Sequence, residues 1–127
     1  MQQQRDRRRR DSTGAVTAET AMAVPVLVLL AMALAWVVAL GVSQARITDA
    51  ARETARSLAR GDSESAAIAL GRRVAPDGAR FEVHRSDGVV TVTVTTVVAG
   101  PGGALGLVSG HTAQAQAAAE IEPGAGP

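Results

Sequence analysis

The sequence predicts an α+β protein: a long N-terminal membrane-spanning helix continuing into a small domain with a second helix and a two- to three-stranded antiparallel sheet. Three observations carry that expectation. Between Glu19 and Arg46 stand 26 residues without a charge. Beyond them, apolar residues recur at helical spacing as far as Leu58. From Ala79 the period shortens to two, in runs separated by turn residues. The corresponding divisions are a basic leader at 1–14, a transmembrane and extended helix at 15–60, a small extracytoplasmic α+β domain at 61–122 and a disordered tail at 123–127.

The leader holds Arg5, Arg7, Arg8, Arg9 and Arg10 against Asp6 and Asp11, while the remainder is slightly acidic. Over all 127 residues the net charge is only +1, too little to argue for a polyanionic partner. With one Trp, one Phe and no Tyr, the chain lacks the aromatic platforms that stack nucleic-acid bases, and no nucleic acid is expected. The absence of Cys excludes disulfides, zinc fingers and thiol nucleophiles.

The stretch Ala21–Val42 is apolar on every side, so it is no amphipathic surface helix. Its residues rise about 33 Å as a helix, enough to cross a hydrocarbon core of about 30 Å. A cleaved secretory signal is the rival reading, with Ala33-Leu34-Ala35 as a small-x-small site. The apolar run continues through Val42, however, which favours a retained helix and a place in the cell membrane as a single-pass protein. Pro25 either kinks that helix or occupies its first turn, if the helix begins near Met22. Basic residues nearly tie across the span, the five leader Arg facing Arg46, Arg52, Arg56 and Arg60. The larger size of the C-terminal part favours a cytoplasmic leader.

Past the span, Ile47, Ala51, Thr54, Ala55 and Leu58 share one helical face. Arg52, Arg56 and Arg60 form a second stripe, read as a solvated face or a partner surface, and Asp49–Arg52 and Glu53–Arg56 stand at pairing distance. Gly61 ends the helix, and Asp62 or Ser63 caps a second one at about Glu64–Val74. Pro76-Asp77-Gly78 makes a turn, Ala79–Arg85 a short strand and Ser86-Asp87-Gly88 a hairpin turn into Val89–Val98. In that strand Val90, Val92, Val94 and Val98 oppose Thr91, Thr93 and Thr95. A loop follows to about Gly110. Over Thr112–Ile121 the alternation of Ala113, Ala115, Ala117, Ala119 and Ile121 argues for a strand, although Ala favours helix. A third strand would give the hairpin independent stability.

Nothing marks an enzyme, a metal site or a cofactor. His84 and His111 are isolated, no HExxH or CxxC occurs, and Gly102-Gly103 lacks the pattern of a phosphate cradle. His84, beside Phe81 and Val83, belongs on the outer face of its strand.

One constellation remains at the membrane boundary. Gly14-Ala15-Val16-Thr17-Ala18-Glu19 sets an unhindered, extended peptide bond before the apolar run and a carboxylate on its edge, where a charge is costly unless paired. Taken alone, Glu19 could simply mark the interface. The order of basic leader, Gly14, Glu19 and apolar helix resembles the class III signal of type IV prepilins. More narrowly, Glu19-Thr-Ala-Met-Ala-Val-Pro25 resembles the opening of TadE-like minor pilins and pseudopilins of the Flp/Tad pilus machinery, and Asp49-Ala50-Ala51-Arg52-Glu53 looks like the short actinobacterial members. Thr20 departs from the Phe of many members. The resemblance implies a subunit for assembly of a Flp/Tad-type pilus or a related secretion apparatus. It also implies a cytoplasmic leader removed by a prepilin peptidase between Gly14 and Ala15, with Glu19 and Pro25 serving assembly. The implied partners are membrane lipid, the peptidase, other pilin-like subunits and Tad-type assembly proteins. The alternative is a single-pass membrane-anchored or secreted extracellular binding protein unrelated to pili.

Overall fold

The structure, a computed structural model, describes residues 2–100 and 110–124, with side chains from Gly14 onward. Most of the expected loop before Gly110 and residues 125–127 of the expected tail therefore lie outside the described residues; Pro123 and Gly124 form a turn. The chain order is α1 (Gln2–Ala59), α2 (Glu64–Arg72), β1 (Arg80–Ser86), β2 (Val89–Val98) and β3 (His111–Glu120). The strands form one antiparallel sheet in the order β1-β2-β3. The α+β architecture stands as expected.

Two compact units divide the chain between Ala35 and Trp36, and α1 contributes to both. In the first unit the apolar side chains of α1 have no cover among the described residues: Met22, Val26 and Leu29 are 77%, 64% and 66% exposed. This helix is long and apolar enough to cross a membrane, and its most apolar stretch has no buried residue.

The second unit, from Trp36, holds the core. Ile47, Ala50, Ala51, Ala55 and Leu58 of α1 gather with Ala67 of α2, Val90, Val92 and Val94 of β2, and Ala113 and Ala115 of β3. The expected helical face is thus the buried one. Thr54 and Ser57 share that face without cost, because Thr54 Oγ1 donates to the Ala50 carbonyl (2.8 Å) and Ser57 Oγ to Asp62 Oδ2 (2.6 Å).

α1 closes as glycine-terminated helices do. Gly61 takes φ +92°, its N–H donates to the Leu58 carbonyl, and the Asp62 N–H reaches back to Ser57. Ser63, rather than Asp62, caps α2, accepting from the Ala66 N–H at 3.3 Å. α2 stops at Arg72, short of the expected Val74, because Val74 and Ala75 both donate to the Gly71 carbonyl and tighten the chain into Pro76. β1 starts one residue later than expected, since Ala79 donates to Pro76 and closes the turn. At the hairpin, Asp87 and Gly88 both have positive φ (52° and 76°), the backbone of a type I′ turn. β2 keeps its expected bounds, and Thr96 fills the buried position between Val94 and Val98.

Residues 111–120 are a strand despite their alanines. Ala113, Ala115, Ala117 and Ala119 stand opposite Thr96, Val94, Val92 and Val90 on the face turned to the core, where small side chains fit beneath α1. The strand's bounds lie one residue earlier than the expected 112–121, though the Ile121 N–H still donates to Gly88 at 2.8 Å. The pairs Asp49–Arg52 and Glu53–Arg56 do not close. Among the described residues the ion pairs are Arg60–Asp62 (3.6 Å) and Arg85–Glu64 (2.9 Å), both half exposed. Exposed helical pairs gain only a few tenths of a kcal/mol, about 0.3–0.5, so their absence costs little.

α2 seats against α1 at Gly71. A Cβ there would fall on Thr54 Oγ1, within 2.8 Å of the Phe81 ring and 3.2 Å of the Ala50 carbonyl. The Arg72 guanidinium lies over the same ring, 5.5 Å from its centre. Gly71→Ala should therefore lower stability by about 1–3 kcal/mol through overpacking, read as a lower urea midpoint by circular dichroism in mild detergent. An unchanged midpoint would mean that α2 does not rest on α1.

Candidate functional site

The residues singled out in the sequence lie along the first unit of α1. Gly14, Ala15, Glu19 and Pro25 are all helical and exposed. The expectation of an extended peptide bond at Gly14 is corrected: the backbone there is α-helical, because the helix runs from Gln2 without a break that Gly14 would force. What does persist is the lack of crowding, since a Cβ on Gly14 would meet nothing within 4 Å.

Ala15 and Glu19 are four residues apart on one helix, so they share a face and can approach along it. No cation pairs with Glu19 among the described residues. Next to it, Thr20 Oγ1 donates to the Val16 carbonyl at 2.9 Å, turning its hydroxyl inward along the helix. Thus the polar side chain beside Glu19 is self-satisfied, whereas the carboxylate is open.

Pro25 lies inside the helix rather than in its first turn. It has no N–H for the Ala21 carbonyl, which is left with a free acceptor about half a turn beyond Glu19. The alternative of a helix beginning near Met22 is overturned by a start at Gln2. Glu19 and the freed carbonyl give this otherwise apolar surface two polar features.

Other candidates gather into no site. Arg52 and Arg56 on α1 and Arg60 just past its end are exposed, as are His84 on β1 and His111 on β3. Among the described residues no three His, Cys, Asp or Glu side chains stand together as ligands would. A depression of about 490 Å³ is bordered by Asp77, Arg80, Thr95, Val97 and Thr112, with no buried charge in it.

The sequence reading missed Trp36 and Gln44. Trp36 Nε1 donates to the Ala99 carbonyl at 2.8 Å, and Gln44 Nε2 to the Gln114 carbonyl at 3.2 Å. A lone Trp late in an apolar run was the available signal for the first.

Comparison with known proteins bears on the helix. Residues 14–56 match the model of a family described as TadE-like protein. The chain carries a TadE-like segment. That segment starts at Gly14 and ends inside α1, so it takes in the apolar helix and most of the buried helical face but neither α2 nor the sheet. A protein of Mycobacterium tuberculosis (strain ATCC 25618 / H37Rv) named apoptosis inhibitor Rv3655c is 47% identical over 78 residues, 61% of this chain and 61% of that relative. The chain thus spans about three fifths of the length of the curated relative it matches. No solved structure gives a significant match.

Because Gly14 has helical backbone and open surroundings, Gly14→Ala should preserve the helix and strengthen it by about 1 kcal/mol. Far-ultraviolet circular dichroism of the full chain in detergent should show helical content equal to or above that of the parent. A loss of helix would mean that Gly14 meets a neighbour.

Proposed function

We propose that this protein is a TadE-like minor pilin, or pseudopilin, which takes part in assembling a Flp/Tad-type pilus or a related secretion apparatus. The observation that carries the reading is the TadE-like segment's start at Gly14, five residues before the carboxylate that opens the apolar helix. In this reading the chain acts as a structural subunit and not an enzyme. Its leader is cytoplasmic, α1 anchors it in the cell membrane, and the sheet lies outside.

A prepilin peptidase would cut between Gly14 and Ala15. Since that bond is helical in the intact chain, the peptidase must unwind about a turn of helix to draw it into an active site. Gly is the residue that makes such unwinding easiest. Expressed with an active prepilin peptidase, the protein should lose residues 1–14, with Ala15 as the new terminus. Gly14→Val should block the cut by crowding the scissile bond. Recovery of the intact leader beside active peptidase would sink the reading.

Cutting there would create an ammonium group at Ala15, four residues from Glu19 along α1. The carboxylate could close on its own terminus or on that of an adjacent subunit. Either pairing offsets the cost of a charge at the hydrocarbon edge. Glu19→Gln should consequently insert and be cut as before, yet lose association with other pilin-like subunits. Co-purification of the cleaved forms in mild detergent tests this; equal recovery would leave Glu19 no part in assembly.

A second reading has one observation in its favour. The second compact unit begins at Trp36, the residue that a signal-peptidase cut after Ala33-Leu34-Ala35 would expose. A secreted binding protein would then result. The mature amino terminus separates the readings: Ala15 for the minor pilin, Trp36 for the secreted form, Met1 for an uncut anchor.

A further inference from the structure

Trp36 belongs to the uncharged run, yet its indole is bonded to Ala99, the residue that follows β2. Three tethers order that sheet along α1: Trp36 to Ala99, Gln44 to the Gln114 carbonyl, and the Ala59 carbonyl to the Glu122 N–H. The spacing agrees on both sides. From Trp36 to Gln44 the helix rises about 12 Å. From Ala99 to Thr95, the partner of Gln114, β2 advances about 14 Å. The sheet therefore runs alongside the helix, and its Ala99 end is level with Trp36.

That level decides where a bilayer can end. If hydrocarbon reached Val42, its surface would stand about 9 Å beyond Trp36. Val98, Ala99 and much of Val97 would then be submerged together with Thr112 and His111. β1 pairing stops at Thr95, two residues short of Val97, so among the described residues the strand edge there has no neighbouring strand. Open sheet edges are not tolerated in hydrocarbon, where each unpaired backbone group costs several kcal/mol, on the order of 2–7. Asp77 and Arg80 border the same depression as Val97 and Thr112, so the submerged end would also draw charges toward the lipid tails.

We infer that the outer hydrocarbon boundary lies at Trp36, and that the uncharged end of the sheet at Val97–Ala99 rests on the lipid headgroups. The chain is suited to that seat. Trp is the residue most at home at a membrane interface, with an apolar ring and one donor, and here the donor is satisfied by Ala99. Between Asp87 and Glu120 the sequence has no Asp, Glu, Lys or Arg. Val97 is 67% exposed at that end. The hydrocarbon span becomes Val16–Ala35, whose helical rise of about 30 Å matches the core thickness. Val37, Val38 and Val42, exposed by 50% or more, then lie in or just past the headgroup layer. Glu19 falls about 5 Å inside the inner edge of the hydrocarbon, deeper than the run Ala21–Val42 implies.

The inference rests on the membrane-anchored reading, and depth measurement separates the two. The chain has a single Trp and no Tyr, so its emission reports Trp36 alone. The full chain is reconstituted in phosphatidylcholine vesicles brominated either near the carbonyl end or near the methyl end of the acyl chains. Shallow bromines should quench roughly twofold more than deep ones, as for an interfacial Trp. In the same vesicles Val97→Cys, a new thiol in a Cys-free chain, should react with a membrane-impermeant maleimide. Stronger quenching by deep bromines, or protection of Val97→Cys relative to detergent, overturns the seat at Trp36. A chain that does not remain with the vesicles defeats the membrane reading itself.

Discussion

One face of one helix bears the weight of this fold. Ile47, Ala50, Ala51, Thr54, Ala55 and Leu58 line the inner side of α1, and β2 and β3 are organised around them. The face is narrow and built mainly from small side chains, so the sheet answers with Val on its central strand and Ala on β3. With a single Phe and a single Trp in the chain, Phe81 is the one Phe packed against that core and small side chains fill the rest. The core depends on close approach, which is why Gly71 lies where Thr54, Phe81 and the Ala50 carbonyl converge.

The same helix has to satisfy two surroundings. In its first unit the apolar residues point in every direction, and nothing among the described residues covers them. From Ser43 and Ile47 the pattern narrows to a buried stripe with charge on the opposite side. Glu19 belongs to the first regime, and the Arg stripe to the second. An open carboxylate carries little cost in water and a large one in lipid, so the meaning of Glu19 depends on which medium surrounds it.

Much of this was legible in the sequence because periodicity reports burial. The spacing of Ile47 to Leu58 named the inward face of α1, and the Val/Thr alternation of β2 named its two sides. Asp87-Gly88 specified a turn that only positive φ can make. The alanines of β3 were harder, since propensity favoured helix and only pairing with β2 decides for strand. Gly14 was misjudged because a lone Gly weakens a helix without ending it, and α1 passes straight through it. Trp36 stood out as a lone Trp, but its partner Ala99 was out of reach, because a contact across 63 positions is not written in local pattern. The comparison with known families speaks to α1 alone, so the sheet owes its description to its own residues.

The three tethers along α1 also have a mechanical consequence. Because the strands run beside the helix, a pull on the helix along its axis loads the contacts in shear. Ladder bonds and packed side chains then resist together instead of parting one after another. At the far end, the Glu122 N–H grips the Ala59 carbonyl at 3.1 Å, beside the Gly61 closure. Tension drawn through α1 is thereby shared with β3 before it reaches α2. Pulled along α1, the small, aromatic-poor core is loaded in shear across all its contacts at once.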